Sequence, residues 1–345
     1  MTQMRAVLQN QYGEPEKVLS VADVAIPTPK PDEVLVRVRA ASVHPDVWHV
    51  VTGYPRVLRL MGAGLRKPKQ PIPGIDMAGE VVSLGSAVTH FSVGDAVFGE
   101  THREIQWVNG GAFAEYVCVP EDVLAHKPEN VTFEQAASVP TAGMIFLNNL
   151  KNYIWNKPGQ RIVINGAAGG VGSIALQIAK AQGAYVIGID HTSKIEFMRS
   201  LGADYVLDYT CDNLTHIHKP VDLIIDIAST LSVTRCKPIL QPQGKYVMIG
   251  HDHYGKQGNN LLGGIPKFFA GMLRGVFDHH LPKPSLDTLQ KRDAMTTLAS
   301  MLANGTLAPV IARTFSLSEV PLALTFLQTE QVNGRIVIVP SRHRE

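Results

Sequence analysis

The chain has 345 residues, its 32 Lys and Arg nearly balance its 30 Asp and Glu, and 45% of its residues are hydrophobic. That length exceeds the roughly 250 residues at which a single core stops growing, so two domains are expected. The formal net charge of +2 lacks the basic excess of a dedicated nucleic-acid binder and, with the hydrophobic content, argues against disorder. The three cysteines, Cys118, Cys211 and Cys236, show no C-x-x-C spacing, which argues against a disulfide framework or a cysteine-rich structural zinc site.

No segment has the pattern of an export signal or a membrane span. The first ten residues are interrupted by polar side chains too early for the apolar region of a signal peptide. Later apolar stretches contain Gly, Asp or Arg well inside the roughly 20 residues that span a bilayer. The sequence therefore predicts a soluble chain in a reducing, cytoplasmic compartment.

Residues 1–125 have the pattern of a β-rich domain. Residues 34–40 alternate apolar and polar side chains with period two, and 79–85 and 94–99 are short apolar runs bounded by glycine. Residues 112–119 add another run. Several short strands at close spacing predict a small barrel-like sheet.

The pattern changes at Thr132, which with Gln135 three residues later forms the capping box that opens a helix. Predicted strands and helices then alternate. The strands cover 161–165, 185–189, 205–207, 221–225 and 245–249, and the helices cover 173–182 and 194–201. This alternation predicts βαβ units in a parallel sheet. A last strand at 335–339 is expected to rejoin the β-rich domain, so that 1–130 with 305–345 form one domain and 131–304 the other.

Two further segments are predicted less specifically. Residues 265–276 have an apolar helical pattern, interpreted as a core-facing helix, with a cap over a hydrophobic substrate pocket or a subunit contact as alternatives. Residues 56–69 are basic and partly apolar, which favours a solvated loop, with attraction of an acidic substrate or a cofactor phosphate as the alternative.

A glycine-rich loop lies between a predicted strand and a predicted helix. Its residues are Gly166, Ala167, Ala168, Gly169, Gly170, Val171 and Gly172. Aligned with G-x-G-x-x-G, the loop places Ala167 at the tight turn, Gly169 where a pyrophosphate approaches the backbone, and Gly172 where the helix packs on the strand. The helix that begins here directs free N–H groups and the positive end of its dipole towards the phosphates.

The next strand ends in Asp190, 18 residues after Gly172, near the spacing expected for an acid that binds the adenosine ribose. Strand, glycine loop, helix and acid together predict a dinucleotide site. Asp190 favours a free 2′-hydroxyl, whereas a 2′-phosphate needs donors, and candidate donors follow directly. They are Thr192, Ser193 and Lys194, together with Tyr209 at the end of the third predicted strand. The residues themselves therefore predict NAD(P)H and leave the choice open.

The order of these parts resembles the medium-chain dehydrogenase/reductase superfamily over nearly the whole chain. The stretches that carry the resemblance are 73–81 (PGIDMAGEV), 91–99 (FSVGDAVFG), 111–117 (GAFAEYV), 167–172 (AAGGVG) and 201–204 (LGAD). The resemblance implies an α/β fold in which a doubly wound Rossmann domain is inserted into a β-rich, GroES-like, partly open barrel. Within the superfamily, the chain is most similar to the zinc-independent quinone oxidoreductase (zeta-crystallin-like) branch, which implies a homodimer and places NADPH ahead of NADH.

The same resemblance argues against the catalytic zinc of the alcohol dehydrogenases. Their first cysteine ligand corresponds to His44, and their Gly-His-Glu corresponds to 74–76, where Ile75 cannot bind a metal. Their four-cysteine structural lobe is missing. Two histidine pairs are interpreted as loop residues because no third ligand is spaced to join them: His251 with His253, and His279 with His280.

Without zinc, no metal stabilises the alkoxide that forms when an alcohol is oxidised. Hydride transfer from a reduced nicotinamide to a quinone or enone is easier, because conjugation delocalises charge onto oxygen. By position in the family, Tyr54 is the candidate donor to that oxygen, or else a pocket-lining tyrosine, and His44 is a candidate ribose contact or proton relay. Thr141, Gly250 and Arg335 are candidate cofactor contacts, with Arg335 at the pyrophosphate.

The predicted function is therefore a zinc-independent, NAD(P)H-dependent reductase of quinones or α,β-unsaturated carbonyls. Its expected partner is a small electrophilic substrate, with no nucleic acid and no membrane span. Two alternatives stay open: an alcohol dehydrogenase-like oxidoreductase, and an NADPH-binding protein without turnover, which the glycine loop alone does not distinguish from an enzyme.

Overall fold

A computed structural model describes residues 2–104, 107–151, 153, 158–250, 260–283, 288–329 and 332–340. The chain divides into two units, the first formed by Met1–Met144 with Leu289–Glu345 and the second by Ile145–Thr288. Residues 131–144 and 289–304, which the sequence-based division groups with the second domain, lie in the first unit. Within the described residues, no helix combines the length and the apolar character needed to cross a membrane.

The strands and helices of the described part are numbered in chain order. The strands are β1 (Gln3–Gln9), β2 (Leu19–Ala25), β3 (Glu33–Val43), β4 (Asp76–Leu84), β5 (Ala96–Glu100), β6 (Tyr116–Pro120), β7 (Leu124–His126), β8 (Arg161–Asn165), β9 (Tyr185–Asp190), β10 (Tyr205–Asp208), β11 (Val221–Asp226), β12 (Leu240–Met248), β13 (Ile311–Ser316) and β14 (Arg335–Val339). The helices are α1 (Pro15–Val18), α2 (Pro45–Thr52), α3 (Phe133–Ala137), α4 (Pro140–Leu150), α5 (Gly170–Ala181), α6 (Ile195–Ser200), α7 (Val233–Cys236), α8 (Ile265–Arg274), α9 (Lys291–Ala303) and α10 (Val320–Gln328).

The first unit is built on a mostly antiparallel sheet. Its strands lie in the order β13-β14-β3-β4-β5-β7, and β6 also pairs with β3. In the central strand β3, Val34, Val36 and Val38 are buried. Alternate side chains of a strand point to the same face, so these three lie together on a face that packs against the core. Strand β14 runs antiparallel to β3, with Val337 opposite Ser42. The last strand therefore rejoins the β-rich domain, as predicted.

The predicted capping box opens α3. Thr132 Oγ1 accepts a hydrogen bond from Gln135 N at 3.2 Å, and Gln135 Oε1 accepts one from Thr132 N at 3.0 Å. The reciprocal pair satisfies two backbone donors that the start of a helix leaves without intrahelical partners. The sequence prediction of this helix start is confirmed.

The second unit is built on a parallel sheet with the strand order β10-β9-β8-β11-β12. Val163, Ile187 and Ile224 are fully buried, as expected for strands covered on both faces. The chain runs outward from β8 through β9 and β10, then returns to the other side of β8, so the strand order reverses between β8 and β11. Ligands of such sheets bind outside the carboxyl ends of the strands at this reversal. The α/β prediction is confirmed.

Helix α8 confirms the helix predicted over 265–276 but not its environment. Phe269 is 57% exposed, Leu273 is 69% exposed, and Val276 is exposed beyond the end of the helix. The core-facing interpretation is therefore wrong for these side chains. Helical periodicity reveals an apolar face, but it does not reveal what covers that face.

The basic insertion at 56–69 lies in the first unit. Leu60 and Leu65 are exposed, as are Arg66 and Lys67 beside them. The exposed side chains agree with a solvated segment, but Arg59–Ala63 form a π-helical turn and Leu58 is buried, so the segment is not a simple loop.

Candidate functional site

The glycine loop makes a tight turn at the carboxyl end of β8. Gly166 has φ +82°, a left-handed conformation that favours glycine. The amides of Gly166 and Ala167 both donate to Ile189 O, at 2.9 and 3.2 Å, which fixes the turn against β9. The alignment with G-x-G-x-x-G assigns the tight turn to Ala167, and Ala167 lies fully buried within that turn, directly after the left-handed Gly166.

Helix α5 begins so close to this turn that Gly172 has no room for a side chain. A Cβ on Gly172 would lie 2.0 Å from Gly166 O and 2.8 Å from the backbone of Ala167. A Cβ on Gly169, the N-cap residue of α5, would meet only Gly166 O, at 3.4 Å. Gly172 is thus required for packing, whereas the space next to Gly169 is open. The first N–H groups of α5 lack intrahelical partners and favour an anion, so the loop fits a pyrophosphate.

Asp190 ends β9 beside the glycine loop, and its carboxylate is engaged on several sides. Its Oδ2 accepts from Ala168 N at 3.0 Å, and its Oδ1 accepts from His191 N at 2.9 Å. Lys194 Nζ lies 3.2 Å from Oδ1, and Lys194 is only 8% exposed. The acid and the lysine that are predicted to compete at the ribose therefore form one ion pair.

The other candidate phosphate donors lie at the ends of β9 and β10. Thr192 Oγ1 donates to Asp208 Oδ2, and Ser193 Oγ lies 3.1 Å from His191 Nδ1. The exposed Tyr209 ring has its centroid 5.9 Å from the His191 ring. The structure thus gathers the predicted donors at one edge of the sheet, together with a carboxylate, Asp208, that the sequence interpretation missed.

Asp226, at the end of β11, is a second buried acid that the sequence interpretation missed. Asn165 Nδ2 donates to Asp226 Oδ1 at 2.7 Å, and the Tyr246 hydroxyl donates to Oδ2 at 2.7 Å. These bonds join the ends of β8 and β11 to β12. Gly250 follows β12, and a Cβ there would lie 2.0 Å from Ile227 O. Close packing therefore explains the glycine at 250, and its contact with a cofactor stays a prediction.

His44 is the N-cap residue of α2 in the first unit. Its Nδ1 lies 3.0 Å from Asp46 Oδ2 and 3.3 Å from Asp46 N, and both residues are buried. Trp107 Nε1 donates to Asp46 Oδ1 at 3.3 Å. Asp46 therefore holds the imidazole in one orientation, which is a requirement for a proton relay.

Tyr54 lies beyond the other end of α2. The eight residues of α2, at a helical rise of 1.5 Å, span roughly 12 Å, so Tyr54 and His44 stand at opposite ends of this helix. Two rings of α2 lie beside Tyr54: that of Trp48, with centroids 6.3 Å apart, and that of His49, which is fully buried. The rings of His49 and Tyr54 stack with centroids 6.4 Å apart, and His49 Nδ1 lies 2.9 Å from Tyr54 O. The sequence interpretation missed His49, because nothing in its spacing distinguishes it from a core histidine.

Thr141 and Arg335 meet in a buried cluster around Asp76, at the start of β4. Asp76 Oδ1 accepts from Thr141 N at 3.0 Å and from Thr141 Oγ1 at 2.5 Å. Arg335 Nη2 donates to Asp76 Oδ2 at 3.3 Å and to Ser42 Oγ at 2.8 Å, and Arg335 is 3% exposed. Both side chains bond to this acid, and their contacts with a cofactor stay predictions.

A second carboxyl group, that of Glu100, shares the Thr141 hydroxyl. Glu100 Oε1 lies 2.9 Å from Thr141 Oγ1, and Glu100 Oε2 pairs with Lys291 Nζ at 2.5 Å. One hydroxyl proton serves only one acceptor, so the two carboxyl groups compete for the Thr141 hydroxyl. Burial raises the pKa of Asp76, Arg335 opposes this, and Glu100 raises the pKa further.

The residues at the zinc position of the alcohol dehydrogenases do not fit a zinc ion. Ile75 stands where that family has a ligating histidine, and it is 1% exposed within the core. Zinc takes four N, S or O ligands, or three and a water. Among the residues that the structure describes, no three His, Cys, Asp or Glu side chains form a group that could hold a metal ion.

The remaining histidine candidates bond to the protein backbone or fall outside the described residues. His279 Nε2 lies 3.0 Å from Pro242 O, and His280 Nδ1 lies 2.7 Å from Gly244 O. Both contacts agree with the interpretation of this pair as loop residues. His251 and His253 lie outside the described residues.

Comparison with known proteins identifies matching families and relatives. The Alcohol dehydrogenase GroES-like domain family matches residues 30–129, and the Zinc-binding dehydrogenase family matches residues 201–338. A chloroplastic quinone-oxidoreductase homolog of Spinacia oleracea is 33% identical over 253 residues, which cover 71% of this chain and 74% of that protein. The chloroplastic NADPH-dependent alkenal/one oxidoreductase of Arabidopsis thaliana is 29% identical over 98% of this chain and 80% of its own.

Solved structures extend the likeness to the fold. The quinone oxidoreductase from Coxiella burnetii has a TM-score of 0.79 at 28% identity, over 98% of this chain and 100% of that one. The GroES-like match lies wholly within the first unit, which confirms the predicted β-rich domain.

Proposed function

The chain belongs to the quinone oxidoreductase branch of the medium-chain dehydrogenase/reductase superfamily, and from this we propose that it transfers hydride from NAD(P)H to a quinone or an α,β-unsaturated carbonyl without zinc. The structural observation that carries the cofactor part of the proposal is the glycine loop, where Gly172 packs on the turn and the space next to Gly169 is open. Reduction of quinones and of alkenals or enones fits the names of the Spinacia oleracea and Arabidopsis thaliana relatives.

When bound, NAD(P)H supplies a hydride from its nicotinamide ring to an electron-poor carbon of the acceptor. Because Ile75 provides no metal ligand, the negative charge that develops on the acceptor oxygen needs a hydrogen-bond donor. We assign that role to the Tyr54 hydroxyl. One hydride from the cofactor and one proton, delivered through the Tyr54 hydroxyl and replaced from water, yield the hydroquinone or the saturated carbonyl. His44, held by Asp46 at the other end of α2, is proposed as a contact of the nicotinamide ribose.

Of the two cofactors, we propose NADPH as the preferred one, with NADH also accepted. The Lys194 ammonium and the exposed Tyr209 support this choice, as does the name of the Arabidopsis thaliana relative. Asp190 opposes it, since its carboxylate repels a 2′-phosphate and already holds Lys194. Titration with both cofactors tests the choice, and a tenfold preference for NADH, about 1.4 kcal/mol, would contradict it.

The proposed activity predicts oxidation of NAD(P)H in the presence of 1,2-naphthoquinone or a small enone. The measurement is the loss of nicotinamide absorbance with a panel of both acceptors at saturating cofactor. Gly172→Trp is the control, because a side chain at 172 meets the backbone of the turn. Turnover no greater than that of the control would overturn the enzymatic proposal in favour of an NADPH-binding protein without turnover.

Tyr54→Phe is expected to lower kcat by about tenfold or more and to change KM by less than about twofold, because a donor to a developing charge acts in the transition state. Steady-state kinetics with a quinone and an enone measure the effect. Tyr116→Phe, in strand β6 of the same unit, is the matched control and should leave kcat unchanged. An unchanged kcat in Tyr54→Phe would instead assign Tyr54 to the lining of a pocket.

The alternative of an alcohol dehydrogenase-like enzyme follows from one observation, the match to a family described as Zinc-binding dehydrogenase. Ile75 opposes it, because an isoleucine replaces a zinc ligand. Stoichiometric zinc found by elemental analysis would revive this alternative. The homodimer implied by the resemblance and the cytoplasmic location predicted from the sequence stay predictions.

A further inference from the structure

Asp208 stands next to Asp190 at the proposed ribose-binding edge of the sheet. The two residues are partners in the parallel pairing of β9 and β10, and neighbouring strands are about 4.8 Å apart. Each is the last residue of its strand. The edge of the sheet that the sequence assigns to the adenosine ribose therefore carries two carboxylates side by side, one at the end of β9 and one at the end of β10.

The Asp208 carboxylate also binds the hydroxyl groups nearest to it. Its Oδ2 accepts from Thr192 Oγ1, and its Oδ1 accepts from Thr210 Oγ1 at 2.7 Å and from Thr210 N at 2.9 Å. Hydrogen bonds, with that of Thr192 the largest influence, lower the pKa of Asp208 to about 2. Asp208 is therefore negatively charged at any pH at which the cofactor is studied.

A 2′-phosphate at this edge would meet Asp208 in two ways. The phosphate carries a charge of about −1.5 to −2 at neutral pH, so a carboxylate a few ångströms away repels it. The Thr192 hydroxyl donates to Asp208, so it is not directed towards a phosphate oxygen. A free 2′-hydroxyl meets neither obstacle, since it donates to a carboxylate instead of being repelled by it.

We propose that Asp208 is a specificity-determining residue that weakens binding of the 2′-phosphorylated cofactor and leaves binding of the unphosphorylated one unchanged. The inference depends on the proposed use of NAD(P)H, and it holds whichever cofactor the wild-type protein prefers. The Lys194 ammonium attracts a 2′-phosphate and so opposes the effect of Asp208. Its ion pair with Asp190 limits this attraction.

The test is a titration of the full chain with NADH and with NADPH, followed by fluorescence. In Asp208→Asn, the Kd for NADPH should fall by about tenfold relative to wild type, equal to about 1.4 kcal/mol, while the Kd for NADH changes less than twofold. Asp208→Glu keeps the charge and should keep the wild-type ratio. Asp204→Asn removes an equal charge from just before the amino end of β10, roughly 13 Å along the strand, and should leave both constants unchanged.

Each outcome decides one question. An equal change for both cofactors, or no change for either, would overturn the role of Asp208, because a merely structural residue does not distinguish them. If Asp208→Asn does not fold, Asp208→Ser is measured in the same way. Binding of neither cofactor to the wild-type protein would overturn the proposed function, and with it this inference. Competition by 2′,5′-ADP against 5′-AMP should reproduce the shift without the nicotinamide.

Discussion

Gly172→Ser is expected to lower the free energy of unfolding by about 1–3 kcal/mol, the range typical of overpacked sites. Its Cβ would lie 2.0 Å from Gly166 O and 2.8 Å from the backbone of Ala167, so the turn or the helix has to move. Gly169→Ser is the matched substitution, and it should not be destabilising. Its Cβ meets only Gly166 O at 3.4 Å, and serine is a favourable N-cap residue for α5.

For stability, Gly172→Ser is the more damaging substitution. For cofactor binding by the folded protein, the more damaging one should be Gly169→Ser. Gly169→Ser places a side chain in the space proposed for the pyrophosphate, so the Kd for NAD(P)H should rise by about tenfold or more in a protein of normal stability. Urea unfolding and fluorescence titration measure the two properties separately. Normal binding in Gly169→Ser would show that the pyrophosphate does not approach the backbone at this position.

The glycine loop shows which features of the second unit could be predicted from the sequence. The spacing of the glycines and of Asp190 predicted the dinucleotide site, because these requirements are local. The left-handed backbone of Gly166 was not predicted, since it depends on how the turn meets β9. The pairing of Asp190 with Lys194 did not follow from their spacing, because Asp190 ends β9 and an extended residue, His191, separates it from the short helical turn that carries Lys194.

The buried cluster of the first unit was beyond the reach of sequence patterns. The cluster joins three residues from distant parts of the chain, Asp76, Thr141 and Arg335. The sequence suggests a different role for each of them. Neither local spacing nor periodicity relates positions so far apart. The same limit applies to α8, where the apolar pattern predicted the helix but not its exposure.

Arg335→Met is expected to lower the free energy of unfolding by about 3–5 kcal/mol, because it leaves the buried Asp76 carboxylate without its cation. Methionine keeps much of the volume, so the loss measures the charge and the bond to Ser42. Adding Asp76→Asn should restore most of the stability, as the double variant contains no unpaired charge. Arg313→Met, where the guanidinium packs over Phe315 at 4.8 Å, is the control and should cost about 1 kcal/mol or less.

The pH dependence identifies Asp76 as the origin of this loss. Burial raises the pKa of Asp76, and removing Arg335 removes the charge that opposes the rise. The folded variant then binds a proton that the unfolded chain releases near pH 3.9, so its stability falls as pH rises from there through the raised pKa. The deficit of Arg335→Met should therefore be smallest near pH 4 and grow towards neutral pH, and Asp76→Asn should abolish this trend. Unchanged stability at every pH, with cofactor binding weakened tenfold, would instead assign Arg335 to the pyrophosphate.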